Sequence, residues 1–458
     1  MTETEGFGEA LFSVEEVQGP PPKRPHVRSK RVFRATGEGE FTSLNTAREL
    51  PADHPARLIK EGIRQMDLSE LRGSYLDHGG VAYDPLQMLG IVLLGYSFGI
   101  TSHERLQECC RYDLRFIFVS DGYCPDDRTI GRFIERLGPH LKSLWRSVNA
   151  ASNKQQGSRR RRIGLDGTKL ASAASAPKAS KRERENAGME KAPSSDPDAS
   201  FRKGGGGPVF GYNAQAIVDL DTHEVLYTEV VADKCDRNQL EPMLKAYMEV
   251  SEVPPETIVA DAGYDDGNAV AACLELGVEP VVPGQSTYAF WSVADGQVMC
   301  PMGHAASVTQ TRKEDGREVV LHSVPESCCR ECVFRRECLG TGRKKTITGP
   351  ASGGLADRVM AAKYARGPDG RQAMVDRMSH VESFFGRIKW NKRNARLTLR
   401  GTEGARIQVA LFGICETVAR LGSRLLPRFL LVFRPKTAYR ATDITEWALF
   451  PARQLSVA

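Results

Sequence analysis

Asp166, Asp261 and Glu382 are the residues whose types and spacing could do chemistry. Asp166 ends the apolar stretch IGLD, Asp261 ends TIVAD, and Glu382 lies in the helical stretch MVDRMSHVESFFGRIKWNKRNARL. In sheets with parallel central strands, reacting groups collect at the carboxyl ends of the strands. Three carboxylates converging beside basic residues would repel one another as bare charges. Hard divalent cations remove that penalty, because Mg²⁺ takes oxygen ligands and shares its shell with substrate phosphates. Two such ions can activate a water and stabilise the leaving oxygen of an in-line displacement at a phosphodiester. Taken singly, a strand-end aspartate is more often a turn or cap residue, and a helical glutamate a surface one. The order of the elements that carry them makes the reading.

Positive charge to seat phosphates is clustered. Among 458 residues, 63 Lys and Arg stand against 57 Asp and Glu, a formal net charge of +6. Basic residues gather near the start (Lys23, Arg24, Arg28, Lys30, Arg31, Arg34), at Arg159, Arg160, Arg161 and Arg162, and from Arg387 to Arg406. Such clusters are the electrostatic footprint of a nucleic-acid partner, although a solvated face would carry the same charge. In RRRRIGLDGTKLA the arginines just before Asp166 are expected to hold DNA as replaceable electrostatics. On the late helix Glu382, Gly386, Lys389 and Arg393 fall on one face. Met378, Val381, Phe385 and Ile388 form the neighbouring apolar stripe that would dock the helix on the sheet.

A chain of this length should divide into two or three units. Residues 1–45 read as a disordered basic tail, since GPPPKRPHVRSKR has little to bury. Residues 46–155 read as a helical unit for DNA-end binding or dimerisation. Asp84-Pro85 marks a helix start and Ser102 a cap, and PDDRTIGRFIERLGPHLKSLWRSV is amphipathic. Residues 156–285 run strand, hairpin, helix, strand, helix, strand, with a turn at Asp219–His223 and a polar Ala/Ser/Lys-rich insertion after the first strand. That alternation indicates parallel strands and an α/β class. Residues 286–345 break the rhythm with short strands and most of the late cysteines; 346–425 bring the Glu382 helix, and 426–458 form a C-terminal segment.

Cys329 and Cys332 have zinc-ligand spacing, and Cys300 with Cys338 could complete a tetrahedral thiolate site; free thiols are the alternative. The remaining cysteines read as packing residues. KGGGGP lacks a following Lys-Ser/Thr and opens no helix, so it reads as the approach to a hairpin rather than a phosphate loop. Trp390 and Trp291 could stack on an extruded base, though packing is the commoner fate of a tryptophan. No run reaches the ~18 apolar residues that would cross a bilayer, and MLGIVLLGYSFGI has the length of a buried core helix. No secretory pattern opens the sequence. A cytoplasmic, nucleoid-associated location with reduced thiols and no membrane partner is expected.

LDGTKL, DPDASF, GYNAQAIVD, VADAGYDD and VESFFGRIK, in that order, resemble the blocks of DDE transposases of bacterial insertion sequences. YDPLQMLGIVLLGYSFGITSHERLQECCRYDLRFIF and PDDRTIGRF resemble the N-terminal domain of the same enzymes. The resemblance covers roughly residues 45 to 420. It implies a ribonuclease-H-like mixed sheet with flanking helices, preceded by an all-α N-terminal domain, with Asp166, Asp261 and Glu382 holding two Mg²⁺ ions, for which Mn²⁺ could substitute. It implies an endonuclease that cuts and rejoins double-stranded DNA at terminal inverted repeats and target sites, working as a homodimer on DNA. The family's helix signature runs Tyr, two residues, Arg, three residues, Glu, six residues, Lys. Glu382 and Lys389 keep their spacing, but Arg377 lies one residue too far from Glu382, and Met374 stands where Tyr belongs. Lys389 is therefore expected to contact phosphate, with Arg377 and Arg393 as further DNA-binding candidates. Two rival readings are a ribonuclease-H-like nuclease that never joins strands and a DNA-binding relic whose chemistry has decayed.

Overall fold

The computed structural model describes residues 49–75, 81–159, 161–174, 196–204, 207–233, 235–265, 268–284, 291–314, 317–339, 342–350 and 354–425. The expected tail (1–45), most of the Ala/Ser/Lys-rich stretch, Arg160 and the C-terminal segment (426–458) lie outside the described residues.

Short polar side chains start the first helices where the sequence places them. These are α1 (Pro55–Arg64), α2 (Ser69–Gly73), α3 (Pro85–Ser97), α4 (His103–Tyr112), α5 (Leu114–Val119), α6 (Asp127–Leu137) and α7 (Leu141–Gln156). The Asp84 carboxylate accepts from the Leu86 amide at 2.8 Å, Ser102 from Arg105 at 3.4 Å and Asp126 from Thr129 at 2.6 Å, each satisfying an otherwise orphaned N–H. All of α3 but Leu86 is buried, as its near-continuous apolar sequence requires. Among the described residues no helix is long and apolar enough to cross a membrane.

Next come β1 (Arg162–Ala171), β2 (Ser200–Gly204), β3 (Gly207–Asp219), β4 (Val225–Val231), α8 (Leu240–Val250), β5 (Thr257–Val259), α9 (Ala269–Glu275) and β6 (Glu279–Val281). They build a six-stranded sheet in which the path β4-β3-β1-β5-β6 is antiparallel through β1 and parallel beyond it, with β2 added alongside β3. This is the ribonuclease-H-like arrangement, and it makes β1 a central strand. The β3–β4 turn is tight because the Asp219 carboxylate accepts from the Asp221 and Thr222 amides at 2.8 and 3.0 Å, with His223 at φ 63°.

The cysteine-bearing insertion follows: a hairpin of β7 (Ser292–Ala294) and β8 (Gln297–Met299), then β9 (Ser307–Glu314), β10 (Arg317–Ser323), α10 (Glu326–Arg330), α11 (Arg335–Leu339) and β11 (Thr346–Pro350). β11 pairs with β10, so this small sheet runs to Pro350 and past the expected limit at 345. Then α12 (Leu355–Arg366) and α13 (Pro368–Arg377) lead into a π-helical turn (Met378–Glu382), α14 (Ser383–Gly386) and a second π turn (Arg387–Asn391); α15 (Gly401–Arg424) closes the described chain.

The helical region does not have a core of its own. One continuous cluster of buried residues joins Leu58, Leu93 and Trp145 to Ile217 and Tyr227 of the sheet and Phe412 of α15. α15 packs on α1, α3, α7 and β4. Its crossing with α1 is close: a Cβ at Gly422 would lie 1.9 Å from the Leu58 carbonyl oxygen, and one at Gly62 would lie 2.1 Å from that of Val418.

Gly422→Ala and Gly62→Ala should therefore each destabilise the protein by about 1–3 kcal/mol through overpacking. A Cβ at Gly386 would meet nothing within 4 Å and its backbone is helical, so Gly386→Ala should be neutral or gain up to about 1 kcal/mol. Urea unfolding of the three variants checks the ordering.

Candidate active site

β1 and β5 run parallel with Ile163 opposite Ile258 and Gly164 opposite Val259. Asp166 lies two residues past Gly164 and Asp261 two residues past Val259, just beyond the end of β5. The first strand does not end at Asp166 as expected: β1 runs on to Ala171, with Asp166 opposite Ala216 of β3, because the antiparallel pairing with β3 continues after the parallel pairing with β5 has stopped. The Asp261 carboxylate caps the short 3₁₀ turn Ala262–Tyr264 by accepting from the Gly263 amide at 2.8 Å. Asp166 Oδ1 accepts from the Gly167 amide at 2.8 Å, and its Oδ2 lies 2.7 Å from Arg377 Nη1. Burial pushes the Asp166 carboxyl above its ordinary range, the Arg377 guanidinium and the Gly167 N–H oppose that, and the neighbouring Asp261 charge adds to it.

Arg377 reaches Asp166 because the helix beyond it is not regular. A π turn closes its hydrogen bonds five residues apart instead of four. Across Met378–Glu382, the residue that sets Arg377 too far from Glu382 in sequence is thus absorbed as one turn of helix. The same turn rotates the buried face. Arg377, Val381, Phe384, Phe385 and Ile388 are buried, whereas Met378 is 48% exposed. The expected apolar stripe therefore holds for Val381, Phe385 and Ile388 and fails for Met378, whose place on that face Arg377 takes. Met374 is half-buried against a small cluster of Leu220, Val259, Val281, Ala365 and Ala373. The helix lies directly on β1, since a Cβ at Gly164 would come within 3.1 Å of Arg377 Cγ and Val381 Cγ2.

Glu382 is exposed on this helix, one residue past Val381. Lys389 donates from Nζ to Thr168 Oγ1 at 2.5 Å, and burial together with nearby Lys169 lowers its pKa. Arg393 is exposed with φ 54°. Trp390 is 77% exposed, whereas Trp291 is 1% exposed in the core of the insertion.

Several supports had no sign in charge or spacing. Arg387 grips Glu416 of α15 at 2.5–3.1 Å, and Lys392 reaches the same carboxylate at 3.3 Å. Burial alone would raise the Glu416 pKa, but these two cations hold it down at about 2. Arg358 of α12 pairs with Asp265 at 2.8 Å, fixing the loop that follows Asp261. On β3, Gln215 donates to Asp236 at 2.7 Å and accepts from the Tyr264 hydroxyl, while Lys169 reaches Asp236 at 3.1 Å. Polar Asn213 and Gln215 inside an otherwise apolar strand were the one available signal for this network, because buried amides need partners.

The arginine run divides by burial. Arg161 is 4% exposed and binds Asp219 at 2.6 Å, Glu224 at 3.2 Å, and Ser152 and Asn153 at 2.9 Å. It joins α7 to the β3–β4 turn, so replaceable electrostatics does not describe it. Arg159 and Arg162 are more exposed and pair with Asp221 at 2.8 and 2.7 Å.

Among the described residues no three His, Cys, Asp or Glu side chains stand together closely enough to hold a metal ion. The two aspartates nevertheless suit a hard cation: they come from adjacent strands, the charge of Asp261 is felt at Asp166, and Asp166 is desolvated and balanced by a guanidinium. Cys300, Cys329, Cys332 and Cys338 line a separate pocket in the insertion.

Residues 44–136 match the family model of a Transposase domain (DUF772), and residues 299–421 match that of a Transposase DDE domain. Over these two stretches the chain is similar to DDE transposases. The DDE match takes in the cysteines, Arg377, Glu382 and Lys389, while Asp166 and Asp261 precede its first residue. No curated protein and no solved structure matches the chain.

Removing Arg161 takes the most buried cation from Asp219 and Glu224, leaving them Arg159 at 3.5 Å and Arg424 at 2.7 Å. Arg161→Met should cost about 3–5 kcal/mol, whereas Arg159→Ala and Arg162→Ala should each cost less than about 1 kcal/mol, measured by urea unfolding. Because the Glu416 pKa is depressed when folded, its ion pairs stabilise above the ordinary carboxylate value of 4.5 and are lost as pH falls towards 2. Between those limits the unfolding midpoint of the wild type should fall more steeply with acid than that of Glu416→Gln.

Proposed function

We propose that this chain is an insertion-sequence transposase that cleaves DNA at element ends and joins them to a target by metal-assisted phosphodiester chemistry. The observation that carries this reading is the placement of Asp166 and Asp261 two residues past paired positions of the adjacent strands β1 and β5, each within electrostatic reach of the other, with Asp166 desolvated and held by a guanidinium.

Asp166, Asp261 and Glu382 would hold two Mg²⁺ ions, or Mn²⁺ in their place. When bound, such ions supply an activated water and charge stabilisation at the leaving oxygen. Arg377 keeps Asp166 neutralised and, once released, has a rigid planar fork suited to a phosphate. Lys389, steadied by Thr168, offers a point charge to the backbone near the scissile bond, and Arg393 extends the same surface. Arg159, Arg162 and Arg160 would add sequence-independent attraction. Hydrolysis breaks one phosphodiester and frees a 3′-hydroxyl; that hydroxyl attacks the target phosphorus, forming one bond as another breaks. No covalent enzyme intermediate is needed.

The partner is double-stranded DNA, at the terminal inverted repeats and then at the target. Two ends must be held for joining, which favours a homodimer on DNA. The displaced spacing of Arg377 was the sequence feature that favoured a decayed relic; its absorption by the π turn supports a working site.

In oligonucleotides carrying the repeats that flank the coding region, Asp166→Asn, Asp261→Asn and Glu382→Gln should each lower Mg²⁺-dependent cleavage by roughly a thousandfold, several kcal/mol of barrier. End binding should change little, and full cleavage by any one variant removes that residue from the triad. Pre-cut ends should give joined product; cleavage without joining leaves a nuclease. Lys389→Ala should weaken binding evenly across sequences and reduce the slope of log K against log salt by about 1.

A further inference from the structure

α10 and α11 pose a stability problem. Each is a five-residue helix, and neither buries a single residue. Helices this short are not stable alone, and the nearby core is small: Trp291, Val298, Val324 and Ile347 against Leu355, Val359 and Ala362 of α12. Units with so little apolar burial usually need a covalent or metal staple.

The cysteines of this region are arranged to provide one. Cys300 sits in a turn after β8, its carbonyl accepting from the Gly303 amide and its amide donating to the His304 carbonyl, both at 2.9 Å, with Gly303 at φ 75°. Cys329 lies on α10, Cys332 in the bend after it, and Cys338 on α11. The Arg335 amide donates to the Cys332 carbonyl at 3.0 Å, which starts α11 directly from that cysteine. All four thiols line one pocket, walled by Trp291, Val324 and Phe334. None is in a disulfide. Charges on Cys329, Cys332 and Cys300 are felt at Cys338, so the four lie within electrostatic reach of one another. Cys328 lines the same pocket and packs on the small core, but Cys329, not Cys328, has the two-residue spacing to Cys332 that suits a shared metal.

We propose that Cys300, Cys329, Cys332 and Cys338 form a structural zinc site that fastens α10 and α11 to the turn after β8. Four thiolates around Zn²⁺ carry a net double negative charge, and Arg335 and Lys345 line the same pocket to offset it. The thiols are not drawn in to ligand distance among the described residues, so coordination would tighten the two helices onto the turn and release the thiol protons to solvent. This site is independent of the carboxylates: it takes a soft-ligand cation, and Mg²⁺ would not substitute for it.

The full chain, purified in reducing buffer with Mg²⁺ and without chelator, should retain one zinc per chain by elemental analysis. X-ray absorption should give Zn–S distances of about 2.3 Å, and Co²⁺ exchange should give the intense bands of a tetrahedral thiolate set. Cys300→Ser, Cys329→Ser, Cys332→Ser and Cys338→Ser should each lose zinc on dialysis, while Cys328→Ser keeps it. Should the variants fail to fold, alkylation mapping on the unaltered protein gives the answer: these four thiols are protected until a zinc chelator is added. Substoichiometric zinc, oxygen-rich coordination, disulfides among the four, or chelator-independent alkylation would each overturn the proposal.

Discussion

The carboxylate of Asp166 on the central strand is the constraint from which the rest of the arrangement follows. β1 is paired with β3 along its length and with β5 at its start, and the Asp166 side chain is largely buried beneath the helix that carries Arg377. A charge in that position costs several kcal/mol unless something balances it. Arg377 is the balance, and it can act only if the helix that carries it lies against β1 in one rotational setting. Gly164 permits the approach and the π turn sets the rotation. The clamp of Glu416 on Arg387 and Lys392 then fixes that helix to α15, and α15 is fixed to the N-terminal helices by the close crossing at Gly62 and Gly422. A line of contacts thus runs from the first helix to the carboxylate at the sheet's centre.

This also explains why the two parts of the chain share a core. In a design with separate cores the position of α15 relative to the sheet would depend on a linker. Here Trp145 of α7, Tyr227 of β4 and Phe412 of α15 belong to one buried cluster, and Arg161 ties α7 to the β3–β4 turn by charge. Since the helix carrying Arg377 is clamped to α15, the N-terminal region helps set the geometry at Asp166 without contributing a residue to it.

Much of this was legible in the sequence, and the failures have specific causes. Helix starts at Pro85 and His103 could be read because a cap is a local feature of one side chain and one amide. The exit of the chain at Asp261 could be read because an apolar run stops just there, whereas Asp166 was misread as a strand end: β1 continues to Ala171 through Gly, Thr and Lys, held by its pairing with β3 rather than by apolar residues. Met378 was misplaced because helical periodicity assumes a constant 3.6 residues per turn, and a π turn breaks that assumption without any residue type that announces it. Arg161 was misread because a charge run was treated as a patch. Arg161 turns inward between α7 and the β3–β4 turn while Arg162 beside it pairs with Asp221 at the surface, so neighbours in a basic run can differ completely in burial. The clamp on Glu416 was invisible for another reason: its partners lie 24 and 29 residues away on a different helix.

The ion pair between Arg377 and Asp166 has a consequence for the order of events at the site. One carboxylate oxygen cannot serve fully both a guanidinium and a divalent cation at the same place. A cation arriving at Asp166 would weaken the Arg377 contact, and the planar, permanently charged side chain would then need another anion. Phosphate oxygens are well suited to it, since they accept the same pair of parallel hydrogen bonds as a carboxylate. The resident arginine would thus keep the site folded before cation and DNA are present, and its release would tie cation binding to phosphate binding. Glu382, exposed on the same helix one π turn beyond Arg377, is carried by the element that would have to respond. A small adjustment of that turn, rather than a rearrangement of the sheet, is the least costly way to bring the third carboxylate towards the first two.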